Sequence, residues 1–341
     1  MLLTIEHAMD HHVGAPMGAP TDDIEEHAAM MQGTPIRQQA SKARRPVHGI
    51  LLLDKPAGLS SNAALQRVKR LFTAQKAGHT GSLDPIATGM LPVCLGYATR
   101  LSQFLLDATK AYEVTFRVGS ATDTGDSEGS IISHGPSDPD SMARIEAILP
   151  RFIGEIAQTP PMYSALRHQG VRLYDLARKG VVVERQARVI TIHALRYLTT
   201  RSPDMTIAVQ CSKGTYVRTL VEDIAQAAGT CAHVVALRRT AVGPYQADAL
   251  VGMDQIEEAA AHGPQALDAL LLAADSAVDN WPAVLLTKEM AFYVRQGQPV
   301  WVPRLPADGM VRLYNERNTF IGVGEVLDGA RVAPRHLLRR G

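Results

Sequence analysis

The chain is 341 residues long, 46% hydrophobic and 20% charged, with a formal net charge of +1. This is the composition of an ordinary folded chain, and it excludes collagen-like or low-complexity polymers. No apolar run approaches membrane-spanning length, and three scattered cysteines (Cys94, Cys211, Cys231) make neither a disulfide framework nor a zinc site. A soluble protein of the reducing cytoplasm is expected, and Met1–Glu6, lacking a basic start and a long apolar core, reads against a secretory signal.

Charge is unevenly placed. Residues 1–33 hold six acids (Glu6, Asp10, Asp22, Asp23, Glu25, Glu26) and no Lys or Arg, which leaves +7 on residues 34–341. A moderately basic body suits a phosphate-bearing partner. Residues 1–45 lack helical or strand periodicity, and with His7, His11, His12 and His27 they read as a polar tail expected to be disordered.

Order begins at His48. Gly49–Pro56 is a short apolar run stopped by a turn signal, hence a buried strand. Ser60 or Ser61 then caps a helix with Ala64, Leu65, Val68, Leu71 and Phe72 on one face and Gln66, Arg67, Lys69 and Arg70 on the other. A loop over Gly78–Pro85 precedes a buried strand (Leu91–Leu95) and a helix (Ala98–Asp107). Tyr112, Val114, Phe116 and Val118 alternate with Glu113, Thr115 and Arg117, the pattern of a half-buried strand. Gly119–Ser130 is a long turn, followed by strands at Val189–Leu198 and Met205–Cys211 and a helix at Thr215–Ala228. Strands and helices interleave without βαβ rhythm, which predicts an α+β fold with a mainly antiparallel or mixed sheet. A boundary is expected near Ala274–Pro282. It separates a main domain (46–275) from a small β-rich one (282–341) with a helix at Lys288–Gln296 and strands at Met310–Tyr314 and Phe320–Val326.

Asp84 stands in the run Ala77–Pro85. Asp before Pro is a common turn or helix-start device. Gly78, Gly81 and Gly89 nevertheless give unusual backbone freedom around one carboxylate, with His79 and Thr80 beside it, and such loops tend to hold sites.

The string from Gly78 to Pro92 (GHTGSLDPIATGMLP) closely resembles the catalytic motif of the TruB family of tRNA pseudouridine synthases, with Ser82 where Ala is usual. Leu53-Asp54-Lys55-Pro56, Lys110-Ala111-Tyr112, Pro161–Ala165, Cys211–Thr219, His233-Val234 and Leu237-Arg238-Arg239 are similar to the family's other blocks, in order. The resemblance covers the chain from about His48 to its end and omits residues 1–45. It implies a pseudouridine synthase domain followed by a PUA-like RNA-binding domain. It also implies isomerisation of uridine 55 in the TΨC loop of tRNA without a cofactor, by a stand-alone monomer needing no obligate protein partner.

By the same resemblance Asp84 is the catalytic carboxylate, Tyr112 the ring that stacks on the base, and Arg218 the ion-pair partner of Asp84. An opposite charge that close lowers a carboxylate's pKa by roughly one to three units. The alternatives are a helix pair of Arg218 with Glu222 and core roles for Tyr112 and Tyr216. His79 resembles a residue that holds the extruded nucleotide. Lys55 looks like part of the active-site surround, or else a turn lysine in solvent, and Tyr216 is similar to a second pocket tyrosine. Candidate phosphate contacts are Arg67, Lys69, Arg70 and Lys76, then Arg167, Arg172, Arg178 and Lys179. The second group lies in an RNA-clamping insertion within about 160–185. An RNA-binding or tRNA-folding module with secondary catalysis is the competing reading.

Overall fold

The computed structural model describes residues 44–338. The expectation of disorder for residues 1–43 falls outside them. Arg45, expected in the tail, belongs instead to the fold. Its guanidinium donates to both Asp268 carboxylate oxygens at 2.7 Å and to the Phe72 carbonyl at 3.0 Å.

The first elements are β1 (Gly49–Lys55), α1 (Ser61–Leu71), β2 (Ala77–His79), β3 (Thr88–Leu95), α2 (Ser102–Asp107) and β4 (Lys110–Val118). A hairpin of β5 (Ser120–Thr122) and β6 (Ile131–His134) leads to α3 (Pro139–Ile148) and β7 (Gly154–Gln158). Then come β8 (Arg167–His168), β9 (Val171–Arg172), α4 (Leu173–Ala177), β10 (Arg188–Arg201), β11 (Asp204–Cys211) and α5 (Val217–Ala227). The strand β12 (Ala232–Val242) is followed by β13 (Val251–Gly252), α6 (Met253–His262) and α7 (Pro264–Asp268). The C-terminal group is β14 (Ala283–Leu285), α8 (Lys288–Arg295), β15 (Val300–Trp301), β16 (Met310–Tyr314), β17 (Phe320–Leu327) and β18 (Arg331–Leu337).

Nine strands form one mixed sheet in the order β13-β1-β3-β12-β4-β11-β10-β7, with β2 also on β3. Only the β1–β13 and β3–β12 pairs are parallel. The α+β expectation is met. β1 is continuously apolar because it is covered on both sides: Leu51 and Leu53 join the core under α1, α3, α5 and α6, while Ile50 and Leu52 join a second core that includes α2. β4 alternates because only one face is covered, so Val114, Phe116 and Val118 are buried and Glu113 and Arg117 exposed. Tyr112 has their parity and packs at the edge of the same core.

Two local expectations are corrected. Ala77–His79, read as loop, pairs with β3 as a short strand. The helix expected over Ala98–Asp107 is broken: Gly96–Arg100 is a 3-10 turn and α2 starts at Ser102. The hydroxyls of Thr99 and Ser102 donate to the carbonyls of Gly96 and Thr99, competing with the helical ladder at the joint. The cap of α1 is as expected, with the Ser60 hydroxyl accepting from the Ala63 N–H at 3.1 Å.

The C-terminal strands form a five-stranded sheet, β14-β16-β17-β18-β15, over its own core. It is fastened to the main sheet's second core by Val323. Phe104 meets Trp281 and His336 edge-on at centroid distances of 4.8 and 5.6 Å, and the Tyr314 hydroxyl donates to Asp275 at 2.6 Å.

The β3–β12 joint sets a tight steric limit. Gly89 has φ +93°, and a Cβ there would collide with the Arg239 carbonyl. Gly78, by contrast, has ordinary backbone, and its Cβ would meet only Thr99 Cγ2 at 4.0 Å. Gly89→Ala is therefore expected to destabilise the protein by about 3 kcal/mol or more in urea unfolding, and Gly78→Ala by less than about 1 kcal/mol.

Candidate active site

The loop bearing Asp84 is fastened to the scaffold on both sides. Upstream, Leu83 is buried in the main core, and its N–H donates to Ser61 Oγ at 2.7 Å while that hydroxyl donates to its carbonyl at 3.0 Å. Downstream, the Pro85 carbonyl accepts from the Gly58 N–H at 2.9 Å, and the Asp84 carbonyl accepts from Ala87. No helix follows Pro85, so the helix-start reading of Asp84 does not apply. Gly81 enters the loop with φ +100°.

Lys55 is corrected by the structure. It lies wholly inside the protein rather than in solvent, and its ammonium donates to the carbonyls of Pro56 (2.8 Å), Leu59 (2.6 Å) and Pro85 (3.4 Å). Burial thus excludes only the solvent alternative, and Lys55 stands in the surround of Asp84, where its donors shape the loop. Burial pulls its pKa down to about 8, opposed by the nearby carboxylates of Asp84 and Glu128.

Arg218 sits in the first turn of α5, 5% exposed. Its Nε lies 3.0 Å from Asp84 Oδ2 and its Nη1 3.2 Å from Asp126 Oδ2. The carbonyls of Thr124 (2.6 Å) and Tyr163 (2.8 Å) accept from the remaining donors. The helix pair with Glu222 is not made. Asp126 was not anticipated: it sits in the Gly119–Ser130 stretch, whose composition reads as turn chemistry. Its carboxylate is buried, accepting from Thr124 Oγ1 at 2.7 Å and the Glu128 N–H at 3.1 Å.

One guanidinium therefore serves two carboxylates. The expected lowering of the Asp84 pKa is reversed: it is raised above the ordinary Asp value, with desolvation outweighing Arg218, and Asp126 adding to the rise. Although 40% of the Asp84 side chain is accessible, the surrounding protein still disfavours its charged form. Glu222, beside the same cluster, is pushed up to about 7 by burial.

Tyr112 comes from β4, opposite Arg239 on β12 and Val209 on β11. Burial raises its pKa, partly offset by the Arg239 charge and hydrogen bond, so at neutral pH the ring is a protonated phenol. His79, on β2, is held neutral by burial and by Arg239, and its Nδ1 is buried without a partner. Tyr216 precedes α5, with Gln158 bracketing its backbone: Gln158 Oε1 accepts from its N–H at 2.8 Å and Nε2 donates to its carbonyl at 3.1 Å. Burial raises the pKa of its phenol, with Ser164 opposing the rise. The Asp84 charge thus acts on Lys55, Tyr112, Arg218 and Tyr216, and that of Arg239 on His79.

The outer cations lie elsewhere. Arg67 on α1 pairs with Glu257 of α6, and Arg70 is exposed. Arg172 is exposed on the insertion, where it donates to the Tyr174 hydroxyl at 2.9 Å, and it and Arg178 lie 5.7 and 5.4 Å from the Tyr174 ring centroid. Among the described residues no cluster of three His, Cys, Asp or Glu side chains is arranged to hold a metal, and no helix is long and apolar enough to cross a membrane.

Three family models match in sequence. The TruB family pseudouridylate synthase N-terminal domain matches residues 69–217, the tRNA pseudouridylate synthase B C-terminal domain 218–279, and the pseudouridine synthase II TruB C-terminal segment 282–338. The chain is similar to the tRNA pseudouridine synthase B of Ectopseudomonas mendocina, 51% identical over 304 residues (89% of this chain, 99% of that protein). Its likeness to the Coxiella burnetii protein of the same name is 50% over 298 residues (87% and 96%). In fold it resembles a protein chain in the crystal structure of a Cbf5-Nop10-Gar1 complex (TM-score 0.64, 24% identity, 86% of this chain and 84% of that one). A chain in an H/ACA RNP bound to a substrate RNA containing 2'-deoxyuridine is similar too (TM-score 0.65, 22% identity, 86% of each).

The electrostatics predict an ordered response. Carboxyl ¹³C NMR should place the Asp84 midpoint above 3.8, and Asp126→Asn, which removes a like charge, should move it to lower pH. A midpoint that rises in Asp126→Asn contradicts this account.

Proposed function

The chain belongs to the TruB family of pseudouridylate synthases, and from that premise we propose that it converts uridine 55 in the TΨC loop of tRNA to pseudouridine. The observation that carries the reading is the Asp84 carboxylate, held at 3.0 Å by a buried Arg218 inside the loop that bears the family motif. In this reaction the N1–C1′ bond breaks, the uracil turns, C5 bonds to C1′, and the C5 proton is finally exchanged for one on N1.

Asp84 acts ionised, as nucleophile or base. Its raised pKa makes it a stronger base than a surface aspartate, while Arg218 keeps the charged form accessible. Reaching C1′ requires the uridine to leave its stack, at a cost of a few kcal/mol. A ring under the base returns roughly 1–3 kcal/mol, and Tyr112 supplies it as a neutral phenol. Neutral His79 is the residue that the family motif assigns to holding the extruded nucleotide. Arg70, Arg172 and Arg178 contact backbone phosphates of the TΨC arm, joined by Arg67 when its pair with Glu257 opens. The enzyme works as a monomer in the cytoplasm.

Asp84→Asn is expected to lower single-turnover pseudouridine formation by roughly 10³-fold or more, with tRNA affinity within about threefold of wild type. Pseudouridine mapping on unmodified tRNA reads both the position and the loss. Full activity in this variant removes Asp84 from catalysis, and unimpaired tRNA refolding by it favours a folding module. Replacing Arg172 and Arg178 by Ala should weaken tRNA binding and reduce the slope of log affinity against log salt by about 1 per residue, leaving the saturated rate near wild type.

A further inference from the structure

Arg239 is among the largest side chains enclosed in the protein, 1% exposed, and among the described residues no carboxylate pairs with it. A buried guanidinium costs several kcal/mol unless its donors are well placed. Its Nε donates to the Met90 carbonyl at 2.7 Å and its Nη2 to the Gly81 carbonyl at 3.2 Å. Arg239 also faces Tyr112 directly across the β4–β12 ladder, and its charge opposes the rise that burial imposes on the phenol. One side chain thus touches the strand after the Asp84 loop and the glycine three residues before Asp84, and it stands across the ladder from the ring expected to meet the base.

From this geometry we propose that Arg239 is a positioning residue, which fixes the Tyr112 ring relative to the Asp84 loop so that ring and carboxylate address the uridine together. The inference rests on the reading of Tyr112 and Asp84 given above. Lys cannot reproduce it: an ammonium is a single point of charge, whereas the planar fork of Arg joins the Met90 and Gly81 carbonyls at set angles beside the ring. A misplacement of about 1 Å at a reacting centre costs roughly 10²-fold in rate.

The test compares Arg239→Lys and Arg239→Met with wild type by single-turnover rate, tRNA Kd, melting temperature, and the Tyr112 ¹³Cζ resonance assigned through Tyr112→Phe. Both variants are expected to lose about 10–100-fold in rate with Kd within threefold. The Tyr112 resonance should shift in both, and its titration should move to higher pH in Arg239→Met, where cation and donor are gone. A merely structural arginine predicts a lower melting temperature with rate and Kd impaired together and the Tyr112 signal unmoved; that result, or an unchanged rate in a folded variant, overturns the proposal. If neither variant folds, the wild-type Arg239 Nε–H resonance carries the test. It should shift in Tyr112→Phe, and no shift overturns the proposal. Wild-type protein inactive on tRNA would instead defeat the functional reading, and the resonance measurement would still judge the link between Arg239 and Tyr112.

Discussion

A single guanidinium shared by two carboxylates is the constraint around which the site is built. Were Arg218 committed to Asp84 alone, the pair would be closer to neutral and the carboxylate would be a weak base. With Asp126 on its other edge, Arg218 compensates Asp84 only in part. Part of the remainder falls on Lys55, whose charge also favours the ionised Asp84 carboxylate. Lys55, Lys110 and Arg239 are all buried, and all donate to backbone carbonyls; Lys110 closes the end of α2 on the carbonyls of Leu105, Leu106 and Ala108. Each satisfies its donors locally, the condition under which a buried charge is tolerable. Lys110 and Lys55 are both drawn down to about 8 by burial, so both still carry a proton at neutral pH.

Rigidity follows from where these groups stand. Tyr112, Arg239 and His79 lie on strands of the main sheet, and Arg218 on the first turn of a helix whose apolar side is packed in the core. Asp84 is in a loop, and that loop is anchored by Leu83 and Ser61 before it and by Lys55 after it. A carboxylate on a tethered loop between rigid elements is a favourable arrangement for holding a reactive group in place.

Much of this was legible in the residues themselves, for identifiable reasons. The alternation of Tyr112–Val118 reports one covered face, and the unbroken run at Ile50–Leu53 reports two; both patterns are local and both survive folding. Ser60 announces its helix because a cap needs only its own turn. The break at Leu101 escaped notice because it depends on two hydroxyls competing for carbonyls inside an otherwise apolar stretch. Asp126 escaped because a turn explains its local composition fully, and only the approach of α5 from some ninety residues away makes it a partner of Arg218. The Arg238-Arg239 dipeptide presents two adjacent cations that fold to unlike ends. Arg238 forms a two-pronged pair with Asp54 at 2.9 and 3.0 Å, and Arg239 goes inside. The sign of the Asp84 shift was beyond sequence for the same reason: an ion pair is suggested by two residues, whereas desolvation is the sum of everything that surrounds them.

The way β17 lends Val323 to the core beneath the main sheet has a further meaning. An accessory domain on a free tether would search a volume of solution and find its ligand by chance encounter. Here Phe104, locked between Trp281 and His336, leaves the smaller sheet no such freedom, and the two bodies present their surfaces at one fixed spacing. A molecule built so is one body rather than two on a string, and its two sheets keep a single mutual spacing.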